Sequence, residues 1–260
     1  MSEKHEHKPS EPAAARPPGL PPVDTNEYGG KKDGARQQMD RRLFMQLVVF
    51  DVPAPHAADR MGELALAELR KLGVPAVVYA DANHPRGCGI LTWSEDPAHF
   101  VRHVRPLFAG VLDGATVRDG WTMLGRTYAT GYEPDLEHWL IRRAPENCLS
   151  EKYAWHVWYP LRRTGAFAKL APEEQGSILR EHAQIGLAYG QAELAHDVRL
   201  ACHGLDADDN EFVIGLLSHS LHALSHLVQR MRVTKQTSEY IAKMGPFFVG
   251  HVLGRSGPFG

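Results

Sequence analysis

The sequence predicts an α+β fold built from two β-α-β-β-α-β halves in one chain. Short apolar runs alternate with segments of helical period, and the order of elements over residues 43–129 repeats over residues 153–250. Breakers such as Pro53, Gly73 and Pro160 end the runs.

In the first half, residues 43–50 form a short apolar run stopped by Asp51-Val52-Pro53, which reads as a buried strand. Met61, Leu64, Leu66, Leu69 and Leu72 give residues 57–72 helical period, and Gly73 ends the helix. Residues 74–79 and 89–93 are strands around a turn. Asp96-Pro97 opens a helix reaching residue 107, with Pro where its missing N–H does no harm. Residues 121–129 form the fourth strand. The irregular link 132–151 holds a short helix at 135–142.

In the second half, residues 153–159 are a strand ended by Pro160, and Pro172-Glu173-Glu174 starts a long helix to residue 189. Strands at 197–203 and 211–217 flank the turn Gly204-Leu-Asp-Ala-Asp-Asp-Asn. A helix at 221–231 and a short strand at 247–250 complete the repeat. Each half has the element order of the ferredoxin-like split unit. The expected division is a disordered tail over 1–40, a first half over 41–131, a linker over 132–151 and a second half over 152–251. The tail is expected to be disordered because it has few large apolar residues to offset its ordering entropy.

The 260 residues are 43% apolar and carry a formal net charge of -2, so nothing global points to nucleic acid or an anionic membrane. Three scattered cysteines, Cys88, Cys148 and Cys202, argue against a disulfide framework and against a zinc ribbon. With no apolar stretch after the basic start, and no run that spans a bilayer, the expected location is the cytoplasm.

Fifteen histidines are the compositional outlier. His182 lies at the edge of the apolar face expected from Ile178, Leu179, Ile185 and Leu187. A neutral imidazole there is able to bind iron, although spacing alone favours a core histidine bonded to a carbonyl. His219, His222 and His226 stand at i, i+3 and i+7, a rival zinc arrangement with no carboxylate among them. A solvated polar face accounts for these three better, and for His99 and His103 as well.

Four segments in order resemble the coproheme decarboxylases of the chlorite dismutase group. Glu181-His182-Ala183-Gln184-Ile185-Gly186 resembles the helix of the axial haem ligand. Trp158-Tyr159-Pro160-Leu161-Arg162-Arg163 resembles a Tyr-Pro-basic segment. Gly204-Leu205-Asp206 through Phe212 is similar to a shared turn and strand, and Met231-Arg232 with Gly245-Pro-Phe-Phe-Val-Gly250 to the C-terminal stretch. The resemblance implies a dimeric α+β barrel, usually assembled as a pentamer. It implies an iron porphyrin, coproheme or haem b, held by His182, with Glu211 the candidate acidic partner of that imidazole. Tyr159 takes the place of a tyrosine that relays a radical. Coproheme and hydrogen peroxide are the implied substrates, and a propionate leaves as carbon dioxide.

Arg162, Arg163, Arg232, Thr237 and Ser238 are the candidate partners of the porphyrin carboxylates. Arginine replaces the family's lysine after the tyrosine, and Phe167-Ala168 stands where a tryptophan-containing pair is usual. In chlorite dismutases an arginine over the iron holds the chlorine oxyanion. Counted from Phe212, Arg199 takes that place; counted from Val198, Leu200 does. One residue of register decides between them. The match around Tyr159 and at residues 245–250 favours the decarboxylase, with Leu200 facing the iron. A chlorite dismutase and a haem-binding protein without turnover are the alternatives.

Overall fold

The computed structural model describes residues 22–54 and 57–257. Its first elements fall where composition predicts disorder. Strands β1 (Glu27–Lys32) and β2 (Ala35–Met39) pair antiparallel around Asp33-Gly34. Both turn residues have positive φ, 52° and 83°, the primed-turn geometry that matches strand twist. The hairpin is held by polar contacts more than by apolar burial. Gly30 N–H donates to Glu133 O at 2.9 Å, and Leu136 N–H donates to Gln37 Oε1 at 3.0 Å. Low apolar content does not register such an anchor, so the disordered reading fails for residues 27–39. Residues 1–21 of that expected tail lie outside the described residues.

The first half follows as β3 (Phe44–Asp51), α1 (Ala58–Lys71), β4 (Ala76–Asp81), β5 (Gly87–Ser94), the two-residue β6 (Thr116–Val117) and β7 (Met123–Thr127). Helix α1 buries Met61, Ala65, Leu66 and Leu69 at helical spacing, and Gly73 leaves it at a φ of 65°. The helix expected over 96–107 is irregular: a π turn at Phe100–Val104 runs into a 3₁₀ turn at Arg105–Ala109. Pro106 lacks the N–H that a regular continuation needs. His99 is buried against Phe100, with ring centroids 5.4 Å apart, so the solvated reading fails for it, while His103 is exposed.

The link contributes a π turn at His138–Arg142 and α2 (Arg143–Leu149). The second half runs β8 (Trp155–Arg163), α3 (Gly165–Ala168), α4 (Pro172–Gln191), β9 (His196–Ala201), β10 (Phe212–Ser218), α5 (Leu221–Arg232), α6 (Lys235–Tyr240), β11 (Ile241–Met244) and β12 (Phe248–Ser256). Pro160 does not end β8. Its carbonyl accepts Gly245 N–H at 2.8 Å, so the donor it lacks would point at the break between β11 and β12, where little pairing is lost. On α4 only Ile178 is fully buried. Leu179 and Leu187 are 40% and 62% exposed, so the expected apolar face is narrower than the sequence suggests.

Each half forms a four-stranded antiparallel sheet, β7-β3-β5-β4 and β12-β8-β10-β9. The seams β4–β12 and β7–β9 join the sheets, so the eight strands close into a ring. This is the expected α+β architecture of two ferredoxin-like halves. Met45, Leu47, Tyr79, Leu91, Trp158, Leu200 and Phe248 fill the barrel interior. Gly215 admits Trp158: a Cβ there would sit 2.5 Å from the indole. A second apolar layer lies under α1, and a third between the outer face of the second half and helices α4 and α5. Cys88, Cys148 and Cys202 are free thiols and buried. Among the described residues no helix is long and apolar enough to cross a membrane.

Candidate functional site

The third layer is where the sequence-predicted residues meet. Its floor is the outward face of β8, β10 and β9, and its roof is α4, α5 and α6. Strand alternation assigns the faces. In β10, Phe212, Ile214 and Leu216 face the roof, while Val213 and Leu217 face the barrel interior. Ile214 is paired with Tyr159 on one side and with Arg199 on the other. These three residues therefore lie in one row across the floor, with strands about 4.8 Å apart. Tyr128 follows the last β7–β9 pair, Thr127 with Leu200, and stands next to Arg199 at the end of that row.

This pairing decides the register that sequence left open. Leu200 is buried in the barrel interior, and Arg199 faces the helices. The expectation that Leu200 faces the iron site is thus corrected. The sheet twist and the β7–β9 seam fix this register, and residue spacing does not contain either.

His182 sits mid-way along α4, half-buried over this floor. Its Nδ1 shares a 3.3 Å hydrogen bond with Thr234 Oγ1. The Thr234 hydroxyl donates its proton to Met231 O at 2.8 Å, which leaves the threonine oxygen to accept from Nδ1–H. The lone pair is then on Nε2, which has no hydrogen-bond partner among the described residues. Burial, and next the Arg199 charge, hold the imidazole below its ordinary pKa, so it is neutral near pH 7.

The expected acidic partner is elsewhere. Glu211 accepts Arg163 N–H at 2.8 Å and Nε at 3.1 Å, and the cation holds it ionised although burial opposes this. Thr234, the N-cap of α6, takes the place expected for Glu211. Thr237 and Ser238 also bond to Thr234, at 3.3 Å and 2.9 Å, and so belong to the cap behind the imidazole.

Tyr159 is buried on the floor, and burial raises its phenol pKa, so the O–H stays intact. The exposed Arg232 at the end of α5 acts on that phenol in the opposite sense. Arg163 is on the same face as Tyr159, stacked on Phe167 and Phe212 at 4.5 and 4.9 Å. Arg162 alternates to the other face and pairs with Asp209 at 3.7 Å. The structure therefore separates the two arginines. His219, His222 and His226 are exposed, and no three metal-ligating side chains among the described residues are grouped to hold an ion.

Sequence reading missed four neighbours of Arg199. Asp197, two residues back on β9, faces the same way, with Oδ2 2.9 Å from Arg199 Nε. Arg143 bonds Asp197 O at 2.9 Å and Oδ1 at 2.5 Å. Trp139 and Tyr128 complete a cleft with Arg143 and Arg199. The linker that supplies Trp139 and Arg143 carries no motif; the i, i+2 spacing of Asp197 and Arg199 was the one visible signal.

The family model for Chlorite dismutase matches residues 90–253. The chain belongs to the chlorite dismutase family. Among solved family structures, the chlorite dismutase of Candidatus Nitrospira defluvii, in complex with imidazole, superposes with a TM-score of 0.63 at 14% identity, covering 82% of this chain and 92% of that one. A haem-binding protein from Thermus thermophilus gives 0.63 at 18% identity, with 82% and 91% covered. TA0507, a candidate chlorite dismutase, gives 0.66 at 14% identity, with 82% and 95% covered. No curated protein matches the chain. At these identities the superpositions establish the chlorite dismutase fold. The site also fits the iron porphyrin of this family by its donor set: one neutral imidazole with a bare nitrogen, apolar walls and an arginine on the facing sheet.

Proposed function

We propose that the chain binds an iron porphyrin through His182 Nε2 and carries out peroxide-dependent decarboxylation of coproheme to haem b. The observation that carries this reading is the placement of Tyr159, a buried neutral phenol on the outward face of β8, under the helix layer that carries His182. When bound, the porphyrin iron supplies the oxidising power of peroxide. Tyr159 gives up an electron and its phenolic proton, and then regains a hydrogen from a propionate side chain. The propionate loses a second electron and its carboxylate as carbon dioxide, leaving a vinyl group, while one peroxide is reduced to two waters; the same steps on a second propionate, with a second peroxide, complete haem b. Arg232 acts on Tyr159 and offers charge to the propionates, as does Arg163 further along the same face of β8, with Thr237 and Ser238 at the α6 cap. The assembly expected by resemblance is a homo-oligomer, a pentamer, in the cytoplasm.

A second reading, chlorite dismutation, is favoured by one specific observation: Arg199 and not Leu200 faces the site. A guanidinium there would hold a chlorine oxyanion. The test gives the purified protein coproheme with peroxide in one arm and haem with chlorite in the other. Carbon dioxide and haem b from the first arm support the proposal. Sustained oxygen from the second, lost in Arg199→Leu, establishes the dismutase instead.

A further inference from the structure

Two guanidiniums of this chain share one carboxylate and one indole. Arg143 lies over the Trp139 ring at 4.5 Å and Arg199 at 5.1 Å. Asp197 is between them, with Oδ1 on Arg143 and Oδ2 on Arg199. Burial would raise the Asp197 carboxyl, but Arg199 and then Arg143 outweigh it and keep the group ionised. Asn147 Nδ2 adds a 3.4 Å contact to Asp197 O. Arg199 Nε is buried and makes no aligned hydrogen bond, although Asp197 Oδ2 is 2.9 Å away. Its ion pair with Asp197 therefore fixes where the guanidinium sits.

We infer that Asp197 is the positioning residue for Arg199, and that the linker residues Arg143 and Trp139 complete its seat. An arginine side chain has many rotamers to choose among, so an unsupported Arg199 would sweep over the site floor. A carboxylate two residues away on the same face limits that sweep from one side, and the indole limits it from another. Arg143 holds the carboxylate in turn, through both its side chain and its backbone. The segment joining the two halves thus reaches the floor of the second half and sets its only cation in the Tyr159–Ile214–Arg199 row. The importance of this for turnover depends on the functional reading above; the placement itself does not.

The test uses the full chain without porphyrin, labelled with ¹⁵N-arginine, so a chain that binds no haem overturns the functional reading while this one is still decided. The Arg199 Nε–H signal is the one lost in Arg199→Lys. It should be displaced by the Trp139 ring current, together with that of Arg143, and Trp139→Leu should abolish both displacements. Asp197→Asn should return the Arg199 signal towards free arginine and speed its solvent exchange roughly tenfold, the scale of one lost charge-assisted contact. Asp197→Glu should restore it in part. An Arg199 signal left unchanged by Asp197→Asn overturns the inference. Should Asp197→Asn not fold, Asp197→Glu decides: an Arg199 signal with wild-type position and exchange rate in that variant overturns the inference.

Discussion

The ring of Tyr159 stacks on that of Phe247, with centroids 4.5 Å apart and planes 23° from parallel. The stack fixes the phenol on the site floor independently of its hydroxyl. Tyr159→Phe should therefore leave the fold and porphyrin affinity unchanged. Decarboxylation should fall by orders of magnitude, equivalent to several kcal/mol of barrier, roughly the cost of removing an indispensable redox group. Carbon dioxide release at the wild-type rate would exclude the relay role.

His182 and Thr234 give a spectroscopic prediction. His182→Ala should lose histidine-type iron ligation in an absorbance titration with coproheme, yet cost only about 1 kcal/mol of stability, since one hydrogen bond is lost. Thr234→Val removes the acceptor that keeps the proton on Nδ1. The His182 ¹⁵N spectrum of the porphyrin-free chain should then show mixed tautomers, and Thr234→Ser should restore a single one. A single tautomer in the valine variant would rule out this role for Thr234.

The barrel interior predicts acid sensitivity. Tyr79 OH and His156 Nδ1 are 2.9 Å apart and both residues are fully buried; burial lowers the imidazole pKa to about 3. Above pH 6.5 neither the folded nor the unfolded chain protonates this group. As pH falls from 6.5 towards 3 the unfolded chain takes up the proton first, so stability is lost across that window, on the order of several kcal/mol. Denaturant melts between pH 7 and pH 4 should show this loss. A Tyr79→Phe, His156→Leu double variant should lose less over the same range.

Gly215→Ala tests the close approach of β10 to Trp158. The added methyl would overlap the indole, and shifting a ring in a packed core costs typically 1–3 kcal/mol. Thermal melts should show the loss, and Gly165→Ala, where nothing lies within 4 Å, should not.

The element order was readable because buried strands and amphipathic helices impose periods on the sequence, as α1 and β3 illustrate. Long-range determinants were not readable. Asp33-Gly34 is a strong turn signal, but its hairpin is held by Gln37 and Glu133, 96 residues apart. Whether Arg199 or Leu200 faces the site depends on the pairing of β9 with β10 and β7. His182 and Tyr159 are proposed on resemblance, whereas Thr234, Asp197, Arg143 and Trp139 emerge only from the structure, because each acts through another side chain.

The barrel closes in an order that the chain itself sets. β12, the last strand in sequence, fits between β4 and β8 and supplies one of the two seams. During synthesis β4 leaves the ribosome long before β12 and has a bare edge until β12 arrives. Such an edge is a template for pairing with other chains. The charge of Asp81 is placed at that seam, opposite Gly250. Nascent-chain survival in this fold is therefore a problem of guarding strand edges during translation, that of β4 the longest, and a chain stopped before Phe248 should aggregate and not merely lose activity.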